Sequence, residues 1–181
     1  YLTYPVQGLV QDRFAEGLLQ TLIEIAPKAL AEPEDYDTRA NLMWTASLAL
    51  NGLIGAGVPQ DWATHMIGHE LTALYGIDHA RTLAIVLPSL LNVKRETKRA
   101  KLLQYAARVW HLTDGDEDVR IEAAIVKTQE FFEQMGVKTR LSDYALNIDA
   151  VEAVMAQMEA HKMTTLGERR DVTMEMSRQV L

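Results

Sequence analysis

The stretch Asp61-Trp-Ala-Thr-His65-Met-Ile-Gly-His69-Glu-Leu-Thr-Ala-Leu-Tyr-Gly76-Ile-Asp78-His79 holds three of the five histidines in the chain. His65 and His69 are four residues apart. On an α-helix that spacing puts them about 40° apart around the axis and roughly 6 Å apart along it, so both can face one site. His79 lies fourteen residues beyond His65. On an unbroken straight helix it would be about 21 Å away, too far to share an ion. Gly76 and Asp78 come just before it. Glycine suits the position after a helix end and aspartate suits an N-cap, so a turn is expected here. A helix, a sharp turn and a second helix would bring His79 back to the other two. Asp61 is the expected N-cap of the first of these helices.

Working outward, the chain continues to read as helices. Upstream, Ala40–Val58 is an uncharged run of nineteen residues, which reaches the length of a membrane span. It carries Asn41, Thr45, Ser47, Asn51, Gly52, Gly55 and Gly57, however, and is expected to form a buried central helix of a globular protein. Asp37 is its expected N-cap, and the three glycines with Pro59 mark its end. Before it, Phe14, Leu18, Leu19, Leu22, Ile23 and Ile25 have helical spacing over Asp12–Ala31, with a break or kink near Pro27. Downstream, Asp78–Leu87 starts a helix that Pro88 should kink or restart. Further helices are expected over Thr97–Leu112, Val119–Met135, Ile148–Ala160 and Asp171–Leu181. The acidic turn Thr113–Asp118 doubles as a helix start, and the last two helices are joined by a loop containing Gly167. The Tyr1–Gln11 segment has no such pattern and is consistent with a crossover from something before it. The expectation is one all-α domain over 1–181, a multi-helix bundle of about seven to nine helices packed around the Ala40–Asn51 helix.

Composition narrows the function classes. The chain is 48% hydrophobic and 24% charged, with no cysteine, which excludes disulfides and thiolate metal sites. A formal charge of -7 argues against general binding of nucleic acid. No basic segment followed by an apolar core opens the chain, so no signal peptide is visible and a cytoplasmic, non-membrane protein is expected. The chain opens at Tyr1 without a methionine, as a fragment or processed product would.

Neutral imidazoles on adjacent helical turns are a recurrent metal-chelating arrangement. The plain alternative is that each histidine caps, packs or hydrogen-bonds, which would leave a non-catalytic helical interaction or dimerisation domain with structural histidines. Spacing alone leaves both open. Asp61 is also four residues from His65, a spacing that makes it a candidate to complete a site, but a helix cap is the better account of it. Known motifs mostly fail. Met66, not glutamate, follows His65, no histidine has glutamate three residues before it, and the acidic run from Asp114 lacks the glycine and glutamate of a calcium loop. The glycines at 52, 55 and 57 do not follow a strand, and no Gly-x-Ser-x-Gly is present. His111 and His161, near helix ends, suit the helix dipole and carry no assigned role. Lys94, Arg95, Lys98, Arg99 and Lys101 form a basic cluster, expected to be a solvated helix start.

The run His65–His79 resembles the iron-containing (group III) alcohol dehydrogenases, most closely the branch of NADPH-dependent aldehyde reductases and butanol dehydrogenases. Gln11-Asp-Arg-Phe-Ala-Glu-Gly17, Asn51-Gly-Leu-Ile-Gly-Ala-Gly-Val-Pro-Gln-Asp-Trp62 and Thr82-Leu-Ala-Ile-Val-Leu-Pro-Ser89 look like the same branch. So do Thr97-Lys-Arg-Ala-Lys-Leu-Leu-Gln-Tyr-Ala-Ala107 and Leu141-Ser-Asp-Tyr144. The resemblance covers essentially the whole chain and implies that it is the helical C-terminal domain alone, without the α/β domain that binds NADP(H) or NAD(H). It implies one divalent metal, Fe2+ or Zn2+, with His65 and His79 matching two ligands. An Asp-x-x-x-His pair upstream of this chain supplies the others, so Asp61-x-x-x-His65 is a decoy. His69 matches a catalytic histidine beside the substrate and nicotinamide. The implied reaction moves hydride between the nicotinamide and a small aldehyde or alcohol. The full-length protein is expected to be a homodimer, and the isolated chain to be inactive. Ala80 departs from many relatives, which have glycine after the last ligand.

Overall fold

A computed structural model of the chain describes residues 1–3 and 8–181. Positions 4–7 of the Tyr1–Gln11 segment lie outside the described residues. The described residues form eight α-helices: α1 (Leu9–Ala31), α2 (Tyr36–Leu50), α3 (Ala63–Tyr75), α4 (His79–Val93), α5 (Arg99–Arg108), α6 (Glu117–Gln134), α7 (Ile148–Ala160) and α8 (Met174–Val180). Two short 3₁₀ turns, Leu53–Gly55 and Leu141–Tyr144, and one antiparallel ribbon complete them. The ribbon pairs β1 (Thr165–Leu166) with β2 (Val172–Thr173), in the register Thr165 to Thr173 and Leu166 to Val172. The all-α reading therefore holds, with this two-residue ribbon added before α8. Among the described residues no helix is long and apolar enough to cross a membrane.

The helix limits follow from local chemistry. Asp35, two residues before the expected cap, accepts the Thr38 N–H and starts α2. Pro27 and Pro88 sit inside continuous helices, so the break expected at Pro27 and the restart expected at Pro88 do not occur. A proline removes one backbone bond. The turns on either side supply enough bonding to keep the helix intact. Gly76, at φ 65°, ends α3 in the left-handed region that glycine adopts without steric cost.

The chain divides into two compact units. One comprises Tyr1–Gln60 and Arg99–Ala124. Its inner helix faces are unusually polar. On α1 the buried residues are Asp12, Ala15, Glu16 and Ala29. From α5, Lys101 pairs with Asp12, and Gln104 donates to Asp12 and to Glu16 at 2.9 Å each. Arg108 donates to Glu16 at 3.0 Å, and the Tyr1 hydroxyl does so at 2.9 Å. Beside this network, Tyr105, Ala106, Val109 and Ala124 form a small apolar cluster with Leu19 and Ile23 against it.

The second unit comprises Asp61–Lys98 and Ile125–Leu181. Its core is apolar in the ordinary way. Ala63, Ile67 and Leu71 of α3 meet Val86 and Leu90 of α4, together with Val151, Val154, Met155 and Met158 of α7. Val172 of β2 and Val180 of α8 close the cluster. Their 3.6-residue spacing on each helix is what makes these faces apolar stripes.

Two expectations are corrected here. The Ala40–Asn51 helix is not the buried centre of the chain. Within α2 only Thr38 and Thr45 are buried, while Trp44 is 66% and Leu50 is 84% exposed. A helix that is apolar on every side has no periodic stripe to mark its buried face, and here the inward positions are the two threonines. Nor is the basic cluster solvated as a whole: Lys94, Lys98 and Lys101 are 2%, 1% and 3% exposed. Each ammonium meets a carboxylate distant in sequence, Asp171 for Lys94, Asp61 and Glu168 for Lys98, and Asp12 for Lys101.

Candidate metal centre

The expected turn forms. α3 stops at Tyr75, Gly76 reverses the chain, and α4 begins at His79 itself. Asp78 occupies the N-cap position but makes no side-chain cap, and its carboxylate pairs instead with Arg81 at 3.3 Å. The reversal brings the three imidazoles together. Ring centroids are 5.2 Å apart for His65 and His79, 5.0 Å for His69 and His79, and 6.2 Å for His65 and His69. His69 and His79 are exposed and His65 is half-buried. Burial first, then the neighbouring His79 and His69, holds the His65 ring below the ordinary histidine range.

Gly68 makes the approach possible. A β-carbon there would lie 2.7 Å from Thr82 Oγ1 and 3.3 Å from Thr82 Cβ. The two helices therefore touch backbone to side chain between the histidines, and a bare Cα is required. Thr82 is fully buried, and its hydroxyl donates to the His79 carbonyl at 2.7 Å, which ties the contact to the first turn of α4.

Asp61 has other work than holding an ion. Its Oδ1 accepts the Ala63 N–H at 2.8 Å, capping the start of α3 from one residue before the assigned N-cap, Trp62. Its Oδ2 is 2.9 Å from Lys98 Nζ. Burial alone would raise this carboxyl, but the Lys98 charge and the Ala63 N–H outweigh it and hold it below the usual carboxylate range. The Trp62 ring stands edge-on to His65, with centroids 4.9 Å apart. Among the described residues no group of three or more His, Asp or Glu side chains is arranged to hold a metal ion.

Sequence reasoning missed Gly68, Lys98 and Glu70. Glu70 is buried next to His69, and its Oε1 lies 2.7 Å from Nδ1 of His161 at the end of α7. His161 thus has a partner where only the helix dipole was expected. The 94/98 lysine spacing was a usable signal for Lys98, since it places both side chains on one helical face. Glu70 and Gly68 left no comparable mark.

Residues 7–180 match the C-terminal part of the Fe-containing alcohol dehydrogenase family. Over 180 residues the chain is 64% identical to the NADPH-dependent aldehyde reductase YqhD of Escherichia coli K12, covering 99% of this chain and 46% of that protein. It is 33% identical to NADH-dependent butanol dehydrogenase A of Clostridium acetobutylicum, covering 92% of this chain and 43% of the relative. The solved structure of the substrate- and cofactor-free aldehyde reductase YqhD superposes with a TM-score of 0.98 at 64% identity, over 99% of this chain and 47% of that one. That of an NADH-dependent butanol dehydrogenase A from Thermotoga maritima superposes with a TM-score of 0.85 at 29% identity, over 95% of this chain and 45% of the other. The chain spans about half the length of these relatives. It belongs to the Fe-containing alcohol dehydrogenase family and corresponds to the C-terminal part of its members.

Proposed function

We propose that this chain is the helical, metal-contributing part of an alcohol dehydrogenase or aldehyde reductase that uses NADP(H) or NAD(H). The observation that carries the reading is the convergence of His65, His69 and His79 on one face of the α3–α4 pair, in a chain that matches the family from residue 7 to 180. Structural histidines would favour buried, packed rings, whereas His69 and His79 are exposed.

His65 and His79 offer two imidazoles 5.2 Å apart between centroids, which fits part of the donor set of a divalent ion. Donors from outside this chain complete the set, and Asp61 is not among them because Ala63 and Lys98 occupy both of its oxygens. When bound, the ion supplies Lewis-acid polarisation of the substrate oxygen. In the reductive direction a bound nicotinamide would supply the hydride for the carbonyl carbon, which leaves one proton to be delivered to the oxygen. Aldehyde, reduced nicotinamide and a proton become alcohol and oxidised nicotinamide. The role of handing that proton to the oxygen falls, in this reading, to a ring nitrogen of His69, which lies one turn beyond His65 on the same face. Hydride transfer needs both reactants in one closed cleft, so this chain by itself is expected to be inactive.

The test uses the protein that carries this chain with its nicotinamide-binding part. His65→Ala and His79→Ala should each weaken Zn2+ or Fe2+ binding by at least about 100-fold and abolish nicotinamide-dependent aldehyde reduction. His69→Ala should keep the metal and lower kcat. Unchanged metal affinity in both ligand variants would remove the reading, and aldehyde reduction by the isolated chain would remove the claim that it needs a second part.

A further inference from the structure

We propose that Lys98 is a positioning residue for the metal centre: clamped between Asp61 and Glu168, it locks the start of α3 to the end of α4 and so sets the register that brings His65 beside His79. The proposal rests on the reading that these two histidines share an ion.

The clamp begins just past α4. Residues 94–98 add one more turn, in which the Lys98 N–H donates to the Lys94 carbonyl at 2.9 Å. Lys98 Nζ then reaches Asp61 Oδ2 and Glu168 Oε1, each at 2.9 Å. Asp61 in turn caps Ala63, so the ammonium is two contacts from the backbone of α3 and one helical turn from His65. Trp62, next to Asp61, lies against the His65 ring. One turn back, Lys94 pairs with Asp171 at 2.6 Å. Both Glu168 and Asp171 come from the loop between β1 and β2. That loop is drawn close at Gly167, where φ is 84° and an added β-carbon would lie 3.1 Å from Val172 and 3.9 Å from Asp61.

Stability alone is a poor reason for this arrangement. Burying ammonium and carboxylate groups costs desolvation that their attraction barely repays, and well-packed apolar side chains in their place are often as stable or more so. What charged pairs add is register: the Lys98 ammonium reaches both Asp61 and Glu168 at 2.9 Å in this packing of the helices. The α3–α4 pair is closed at one end by the Gly76–Asp78 turn and at the other by Asp61–Lys98. A slip of one helix along the other would break the Lys98 contacts and alter the 5.2 Å separation of the His65 and His79 rings. The two imidazoles therefore keep their spacing only while both ends are held.

The test compares variants of the protein that carries this chain with its nicotinamide-binding part. Asp61→Asn is the first, because its amide oxygen still caps Ala63 while the charge facing Lys98 is gone. Lys98→Met with Asp61→Asn and Glu168→Gln is the second, and removes the three charges together. Zn2+ affinity is read by chelator competition well below each variant's unfolding midpoint, alongside kcat and KM. The expected result is about tenfold weaker Zn2+ binding and a lower kcat, with KM for the nicotinamide unchanged, the scale seen when residues behind metal ligands are altered. Arg178→Met, which severs the exposed Glu152 pair on α8, should move neither quantity. Zn2+ affinity within twofold of the parent in folded Asp61→Asn would overturn the proposal while leaving the metal reading intact. If the triple variant fails to fold, Asp61→Asn alone decides. If His65→Ala and His79→Ala also leave affinity unchanged, the metal reading falls and the proposal falls with it.

Discussion

Gly68 and Gly17 are both helical glycines, and they should respond in opposite ways to the same substitution. Alanine at an interior helix position is favoured over glycine by about 1 kcal/mol. At Gly17, in α1, nothing lies within 4 Å of an added β-carbon, so Gly17→Ala should stabilise the chain by about 0.5–1 kcal/mol. At Gly68 the new methyl meets Thr82 Oγ1 at 2.7 Å, and that hydroxyl cannot turn away without giving up the His79 carbonyl. Overpacking costs about 1–3 kcal/mol, so Gly68→Ala should be a net loss of about 1 kcal/mol or more. Urea unfolding of the two variants checks both signs, and stabilisation by Gly68→Ala would mean that the helices are not in close contact there. The pair also marks what single residues disclose in sequence. The histidines were legible because four-residue spacing and a family pattern both point at them. Gly68 was not, because its constraint belongs to the helix it faces. The lysines misled for the same reason, since Lys101 is neutralised by Asp12, 89 residues away.

At the scale of the element, α2 and α4 show opposite relations between apolarity and burial. Both look like core helices in sequence. In α4 the apolar positions form a stripe, and Ile85, Val86, Leu90 and Leu91 are buried. In α2 the apolar residues surround the helix and most face outward, Met43, Trp44 and Leu50 among them. Helix existence was legible in each case from composition, although Asp35 and not Asp37 caps α2 and Asp78 makes no side-chain cap on α4. Facing was legible only where one side differed from the other. The consequence is measurable in this 181-residue chain. Trp44→Gln should change unfolding free energy by no more than about 0.5 kcal/mol, as surface substitutions do. Leu90→Ala, which empties part of the α3–α4–α7 cluster, should cost about 2–5 kcal/mol. A loss at Trp44 comparable to that at Leu90 would restore α2 to the core.

For the molecule as a whole, the two units are organised around different chemistry, and only one kind shows in a hydrophobic pattern. The unit containing α3, α4 and α7 has an apolar cluster, and its helices were read from their stripes. The other unit buries Asp12, Glu16 and Lys101 between α1 and α5, and polar residues at inward positions carry no stripe. The division into units was accordingly invisible in the sequence, because periodicity gives a helix its inner face but not its partner. This distribution of buried charge sets the response to acid. For Asp12, burial alone would raise the carboxyl, but the bonds from Lys101 and Gln104 prevail and hold it below its ordinary 3.8. Glu16 behaves likewise against burial, held below 4.5 by Arg108, Tyr1 and Gln104, and Asp61 is lowered in the other unit. A carboxyl whose pKa is lower folded than unfolded contributes stability that is fully present above the unfolded value and lost as pH falls through the folded one. The formal charge of -7 acts the other way at first, since partial protonation of surface carboxylates relieves repulsion. Surface terms of that kind are screened and small, whereas the buried pairs are not. Thermal midpoints should therefore be nearly flat from pH 7 to about 5 and fall steeply below about 4.5, where the unfolded chain begins to take up the protons that folded Asp12, Glu16 and Asp61 refuse. Replacing one pair together, Asp12→Asn with Lys101→Met, should make the acid limb shallower without steepening the neutral region. An acid limb of unchanged slope in that double variant would mean that the Asp12–Lys101 pair does not govern the response.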